Sequence, residues 1–260
     1  MKKKEVHQVE SLDSEKFILK LFRTTKPSKI TYVGNSLKCR RIEILLKWKL
    51  FSKSWIDSSE NSRPDFHNEK HKLLLEVMCI DDCIGDLNGR LVANYFEKMR
   101  KLIHKYFGHN YANLLDGCTL FVNPNTYNDE EFNFNGYIKN FERVLLDHSS
   151  NIECYKNNYP NCKSCILFIC DLSNAYYQKN PNWNNNPKRV NIVHLCFLDQ
   201  HFLDIIKKCH AEYVVWFTPY KSVFSTNGRQ VNLPVACIYD VRNIRSEGIA
   251  YDYKNMLKVK

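Results

Sequence analysis

Leu73-Leu-Leu-Glu-Val-Met-Cys-Ile80 decides how this chain folds. All of its residues but Glu76 are apolar, and an unbroken apolar run of this length reads as a strand covered on both faces. Such a strand belongs inside a sheet with helices on each side. Glu76 is the exception. A carboxylate buried without a partner either costs several kcal/mol or neutralises itself, so the fold must offer it a cation, a metal or a water-filled cleft.

Upstream, residues 57–65 are polar turn sequence ending in Pro64-Asp65. Twelve positions span Asp65 to Glu76, enough for a turn or hairpin that brings both carboxylates to one edge of the sheet. Two carboxylates converging on a cleft suit a hard divalent cation, Mg²⁺ first and Mn²⁺ as its substitute. Further upstream, Ile42, Leu45, Leu46 and Lys49 recur at helical spacing from Ser36 to Phe51, with Ser36 as the expected N-cap.

Downstream, Leu91 to Tyr106 keeps a helical period, Thr119-Leu-Phe-Val122 reads as a short strand, and Tyr137 to Leu145 as a third helix. Cys165-Ile-Leu-Phe-Ile-Cys170 is a second buried strand. Val190 to Phe197, a helix over Leu198 to Cys209, Tyr213 to Thr218 and a late strand at Val235 to Tyr239 continue the alternation. Strands alternating with helices predict an α/β fold with a mixed central sheet flanked by helices. Residues 1–35 read as a basic arm with one amphipathic piece at Phe17 to Phe22, and 36–260 as a single α/β domain.

The acid on the first helix (Glu43 in Arg-Arg-Ile-Glu-Ile-Leu-Leu), Pro64-Asp65-Phe66, the strand carrying Glu76-Val77-Met78, and the long helix after it together resemble the PD-(D/E)XK nuclease superfamily. The resemblance covers residues 36–122 and leaves 123–260 to complete the sheet and supply recognition elements. It implies a restriction-endonuclease-like fold and a Mg²⁺-dependent endonuclease acting on DNA, of a restriction, defence or repair type. Asp65 and Glu76 would hold the metal, and Glu43 would be the accessory acid. A palindromic duplex target would call for a two-fold dimer.

The pattern departs from the family where a lysine assists the attacking water. Strand residues two apart share a face, so position 78 projects beside Glu76, at roughly 6 to 7 Å along the strand, and it is Met78. Lys98, Arg100 or Lys101 on the following helix would have to supply the cation. The alternative is a catalytically inactive protein that binds nucleic acid on the same scaffold.

Charge supports a polyanionic partner. The chain carries 38 Lys and Arg against 28 Asp and Glu, a net +10, and residues 1–53 hold 14 bases and five acids, which is +9 of that excess. Lys38, Arg40, Arg41 and Lys47 are the expected phosphate contacts.

Other features compete for attention. His148, Cys154, Cys162 and Cys165 contain possible zinc ligands, but the spacing is irregular and Cys165 opens an apolar strand, so structural zinc is disfavoured. No Cys stands in an activating context for nucleophilic catalysis. Asp81-Asp82 reads as a strand-end turn, and Tyr176-Tyr177, Trp183 and Arg189 flank an Asn-rich loop able to stack on bases.

The 260 residues are 44% hydrophobic, which excludes a disordered chain. No span approaches the roughly 18 apolar residues of a membrane helix, and Met1-Lys-Lys-Lys-Glu5 does not lead into a signal sequence. With 11 cysteines, several inside apolar runs, a reducing cytoplasmic setting is the expectation.

Overall fold

The computed structural model describes residues 15–47, 54–58, 64–82, 133–179, 192–219, 221, 223–224, 230–231, 233–245 and 247–259. The apolar run containing Glu76 is β4 (Leu73–Ile80), and every residue in it except Cys79 is buried. Upstream lie α1 (Glu15–Thr24), β1 (Ile30–Val33), α2 (Ser36–Lys47), β2 (Ile56–Asp57) and β3 (Phe66–Asn68). Downstream come α3 (Phe134–Ser150), α4 (Ile152–Asn158), β5 (Ser164–Asp171), β6 (Tyr176–Gln178), β7 (Ile192–Val193), α5 (Gln200–Lys207), β8 (Tyr213–Phe217), β9 (Val223–Phe224), β10 (Gln230–Val231), β11 (Ala236–Asp240) and β12 (Met256–Lys258).

Seven strands form one mixed sheet in the order β1-β11-β8-β5-β4-β3-β2. Strands β4, β5 and β8 run parallel, β3 and β2 continue antiparallel from β4, and β11 pairs antiparallel with β8 and parallel with β1. The parallel centre explains the unbroken apolar runs, because both of its faces are covered. Alternate residues separate into two cores. Leu74, Met78, Ile80, Leu167, Ile169 and Trp216 pack under α3 and α5, while Leu75, Val77, Ile166, Phe168 and Phe217 pack against Ile18, Leu19 and Phe22 of α1 and Ile42, Leu45 and Leu46 of α2.

The α/β class with a mixed, helix-flanked sheet is therefore as expected. The N-terminal boundary is not. From Glu15 to Val33 the chain is no loose arm: α1 buries three side chains, and β1 is an edge strand of the main sheet. An amphipathic ten-residue helix is only marginal alone, and its apolar stripe becomes stable once it covers a sheet face. The cap of α2 also moves by one residue: Asn35 Oδ1 accepts from the Lys38 amide at 3.2 Å, so Asn35, not Ser36, closes that end.

Of the expected strand from Val190 to Phe197, the described residues form the short β7, which belongs to a separate three-stranded sheet, β12-β6-β7, and not to the main one, and then a 3-10 turn at Cys196–Leu198. The expected helix over Leu91 to Tyr106, with Lys98, Arg100 and Lys101, and the strand at Thr119 to Val122 lie outside the described residues. Among the described residues no helix is long and apolar enough to cross a membrane.

Glycine is required at the sharp turn after β1. Gly34 follows β1 with φ of 95°, and a Cβ there would meet the Asp240 carbonyl oxygen at 2.8 Å. The turn sends the chain from β1 directly into α2.

Candidate functional site

Pairing between β3 and β4 ends at Phe66 and Leu75, which leaves Asp65 just beyond the last paired residue and opposite Glu76. There the side chains take over from the ladder. The Asp65 amide donates to Glu76 Oε2 at 3.3 Å, and Asp65 Oδ2 accepts from the Val77 amide at 2.7 Å. The chain before Asp65 is fixed in turn: Ser58 Oγ donates to the Pro64 carbonyl at 2.7 Å, and the Ser58 amide donates to the Asp65 carbonyl at 2.9 Å. Thus the two acids singled out in the sequence do meet at the β3 side of the sheet.

Glu76 is 2% exposed and faces α3 and α4. Its Oε1 lies 2.7 Å from His148 Nδ1 and accepts from the Tyr155 hydroxyl at 3.2 Å. Sequence reasoning missed this function for both residues. The sequence marks His148 only as a possible zinc ligand, and Tyr155 lies seven positions later on a different helix, so no helical period links them.

Burial, followed by the nearby Glu76 charge, raises the Asp65 carboxyl to about 7, and Glu15 at the start of α1 adds to that push while His148 opposes it. Two carboxylates in mutual repulsion are the local electrostatics that a bound cation would relieve. Mg²⁺ is commonly held by one or two carboxylates together with waters, so this pair fits such an ion. Among the described residues, no group of three or more His, Cys, Asp or Glu gathers to hold a metal by protein ligands alone.

The remaining expected site residues are placed elsewhere. Glu43 lies on α2, against the sheet face opposite to the one Glu76 occupies, where it accepts from the Tyr32 hydroxyl and pairs with Lys47 Nζ at 3.3 Å. It is not brought to the Asp65–Glu76 pair. Lys47 is correspondingly occupied: its side chain is only 11% exposed, and it also donates to the Thr25 carbonyl. That corrects its reading as a phosphate contact, because an i,i+4 pair buried under α1 holds helix to helix.

Lys38, Arg40 and Arg41 are exposed, with Lys38 Nζ 3.6 Å from Asp240 Oδ2. They too sit on α2, so this basic surface does not share a sheet face with Glu76. Met78 does share that face, as strand geometry requires, but is 4% exposed and packed in the core under α3.

His148 is engaged by Glu76, Cys154 is exposed, and Cys162 and Cys165 are buried, so the four zinc candidates have separate environments. Burial raises the thiol pKa of Cys162 and Cys165, which disfavours the thiolate a metal needs. Asp82, 2% exposed, accepts from the amide and side chain of Asn174 and from the Tyr176 hydroxyl. It is a strand-end brace. Tyr176 is buried by the same contact and is not available to stack on a base, while Trp183 and Arg189 lie outside the described residues.

Comparison of the chain with protein-family models, with curated proteins and with solved structures returns no match.

Proposed function

We propose that the chain is a divalent-metal-dependent nuclease acting on phosphodiester bonds, with DNA as its substrate and a restriction-endonuclease-like core. One observation carries the reading: Asp65, just before β3, and Glu76, within β4, are bound to one another at the end of an antiparallel β2-β3-β4 unit whose β4 also pairs with parallel β5.

In this reading Asp65 and Glu76 hold Mg²⁺. An ion held there would supply Lewis-acid polarisation of a phosphoryl oxygen and a lowered pKa for a bound water. His148 and Tyr155 fix Glu76 Oε1, so that Oε2 stays turned toward the Asp65 amide. This is positional control of a ligand by groups behind it. Exposed Lys38, Arg40 and Arg41 add a cationic surface on another side of the molecule, suited to a polyanion long enough to wrap around it.

A second reading has specific support: binding without cutting. Met78 fills the position where the family carries its lysine, and its burial leaves no cation beside Glu76 on that strand. Plasmid DNA and RNA incubated with the full chain in Mg²⁺, Mn²⁺ or EDTA separate the two. Cleavage that needs the metal and is lost in Asp65→Asn and Glu76→Gln supports the nuclease. Salt-dependent binding without cleavage, unchanged in both variants, supports the second reading, and neither binding nor cleavage removes both.

A further inference from the structure

A separate cavity of about 170 Å³ opens at the carboxyl ends of β5 and β8, on the far side of the parallel strands from Asp65. Its walls include Val33, Leu195, Phe197, Leu198, Leu233 and Pro234, and its polar lining includes Lys221 and His194. Carboxyl ends of parallel strands are where open α/β sheets take their ligands.

Lys221 is held in a buried network. Its Nζ donates to Asp171 Oδ2 at 2.9 Å and to the Tyr137 hydroxyl at 2.8 Å, and its side chain is 6% exposed. Asp171, fully buried, also accepts from Trp216 Nε1 at 2.9 Å, from the Tyr137 hydroxyl at 2.6 Å, and from the amide and hydroxyl of Ser173. The ammonium also lies 4.2 Å from the centroid of the Tyr137 ring, and of its three hydrogens one has no hydrogen-bond acceptor among the described residues.

His194 is 5% exposed, and its Nε2 lies 2.7 Å from Asp199 Oδ2. Asp199 also accepts from the His201 amide and the Tyr253 hydroxyl, so its carboxylate takes the Nε2 hydrogen. Burial holds the imidazole pKa down and the ring neutral. Nδ1 is then an acceptor, and it has no partner among the described residues. The other hydroxyl side chains of the lining are engaged: Thr31 and Thr218 donate to the Ala236 and Val235 carbonyls, Tyr32 to Glu43 and Tyr176 to Asp82.

We infer that this cavity binds a neutral, single-ring cyclic amide, its carbonyl accepting from Lys221 and its ring N–H donating to His194 Nδ1. Size sets the ring count, since an apolar cavity of about 150 Å³ accommodates one benzene. Charge sets neutrality. Asp171 already balances Lys221, so a carboxylate or phosphate would bring a second negative charge beside Asp171 in a low-dielectric site. The unused donor and unused acceptor set the amide. The inference stands independently of the nuclease reading.

Isothermal titration of the full chain with 2-pyridone as probe tests it. Saturable binding is expected, weakened at least tenfold for N-methyl-2-pyridone, which lacks the donor, and for benzoate, which is an anion. Lys221→Met should also weaken it at least tenfold. Leu198→Trp, at a cavity residue 40% exposed and so tolerant of exchange, should block binding while leaving the melting temperature within a few degrees. Uracil compared with uridine then shows whether the ring enters free or attached to a sugar. No saturable heat, equal affinity for benzoate or the N-methyl compound, or unchanged binding in Leu198→Trp would overturn the inference.

Discussion

Asp65 and Glu76 are cross-braced through the backbone: the Asp65 amide binds the Glu76 carboxylate, and the Asp65 carboxylate binds the amide of Val77, the residue after Glu76. Neither acid can turn away without releasing a main-chain donor. This holds two like charges close together at the end of a hairpin, and the pH behaviour of the fold follows from it.

The Asp65 carboxyl titrates near 7 in the folded chain, above its ordinary value near 3.8. Between those values the folded state binds more protons than the unfolded state, so stability falls as pH rises from about 4 through about 7. Urea unfolding across that window should show a loss of about 1–2 kcal/mol, discounted for partial solvent screening. Asp65→Asn, which keeps an acceptor for the Val77 amide, should flatten this slope.

If Mg²⁺ binds the pair, it competes with the proton on Asp65. Calorimetric affinity for Mg²⁺ should therefore rise with pH through about 7, with proton release on the acidic side, and the dependence should disappear in Asp65→Asn. A pH-independent affinity would place the ion elsewhere.

His148→Ala leaves the buried Glu76 carboxylate with fewer donors and should cost about 2–3 kcal/mol, while Tyr155→Phe, which removes only a hydroxyl, should cost about 1 kcal/mol. Chemical denaturation measures both. In the nuclease reading, either change should lower cleavage by more than the lost stability accounts for, when assayed well below the melting temperature.

Glu43→Gln distinguishes the observed site from the sequence expectation. It should destabilise by about 1–3 kcal/mol through the loss of charge opposite the nearly buried Lys47, yet leave metal affinity and any cleavage unchanged. A selective loss of cleavage in a stable Glu43→Gln protein would restore it to the site.

Gly34→Ala should cost about 1–3 kcal/mol, visible as a lower denaturation midpoint, because the substituted residue would be held at φ of 95° with its Cβ against the Asp240 carbonyl.

Much of the architecture was legible because buried parallel strands leave a local record. Leu73 to Ile80, Cys165 to Cys170 and Tyr213 to Phe217 must be apolar on both faces, and that requirement is written in consecutive residues. Glu76 and Asp65 were legible for the same reason. One interrupts an apolar strand, and the other lies a hairpin away from it. What surrounds them was not. His148 and Tyr155 reach Glu76 from 72 and 79 positions downstream, and Glu43, near in sequence, lies on the opposite sheet face.

Basic charge shows the same division. The sequence by itself determined that nearly all of the +10 excess lies in residues 1–53. Only the tertiary structure decided that Lys47 is consumed by Glu43, that α1 is core and not arm, and that Lys38, Arg40 and Arg41 lie on a helix across the sheet from Glu76. Hydrophobic periodicity is a local property of the chain. Pairing of charges depends on which helix covers which face, and that is settled only when the apolar surfaces of α1 and α2 are buried against the sheet.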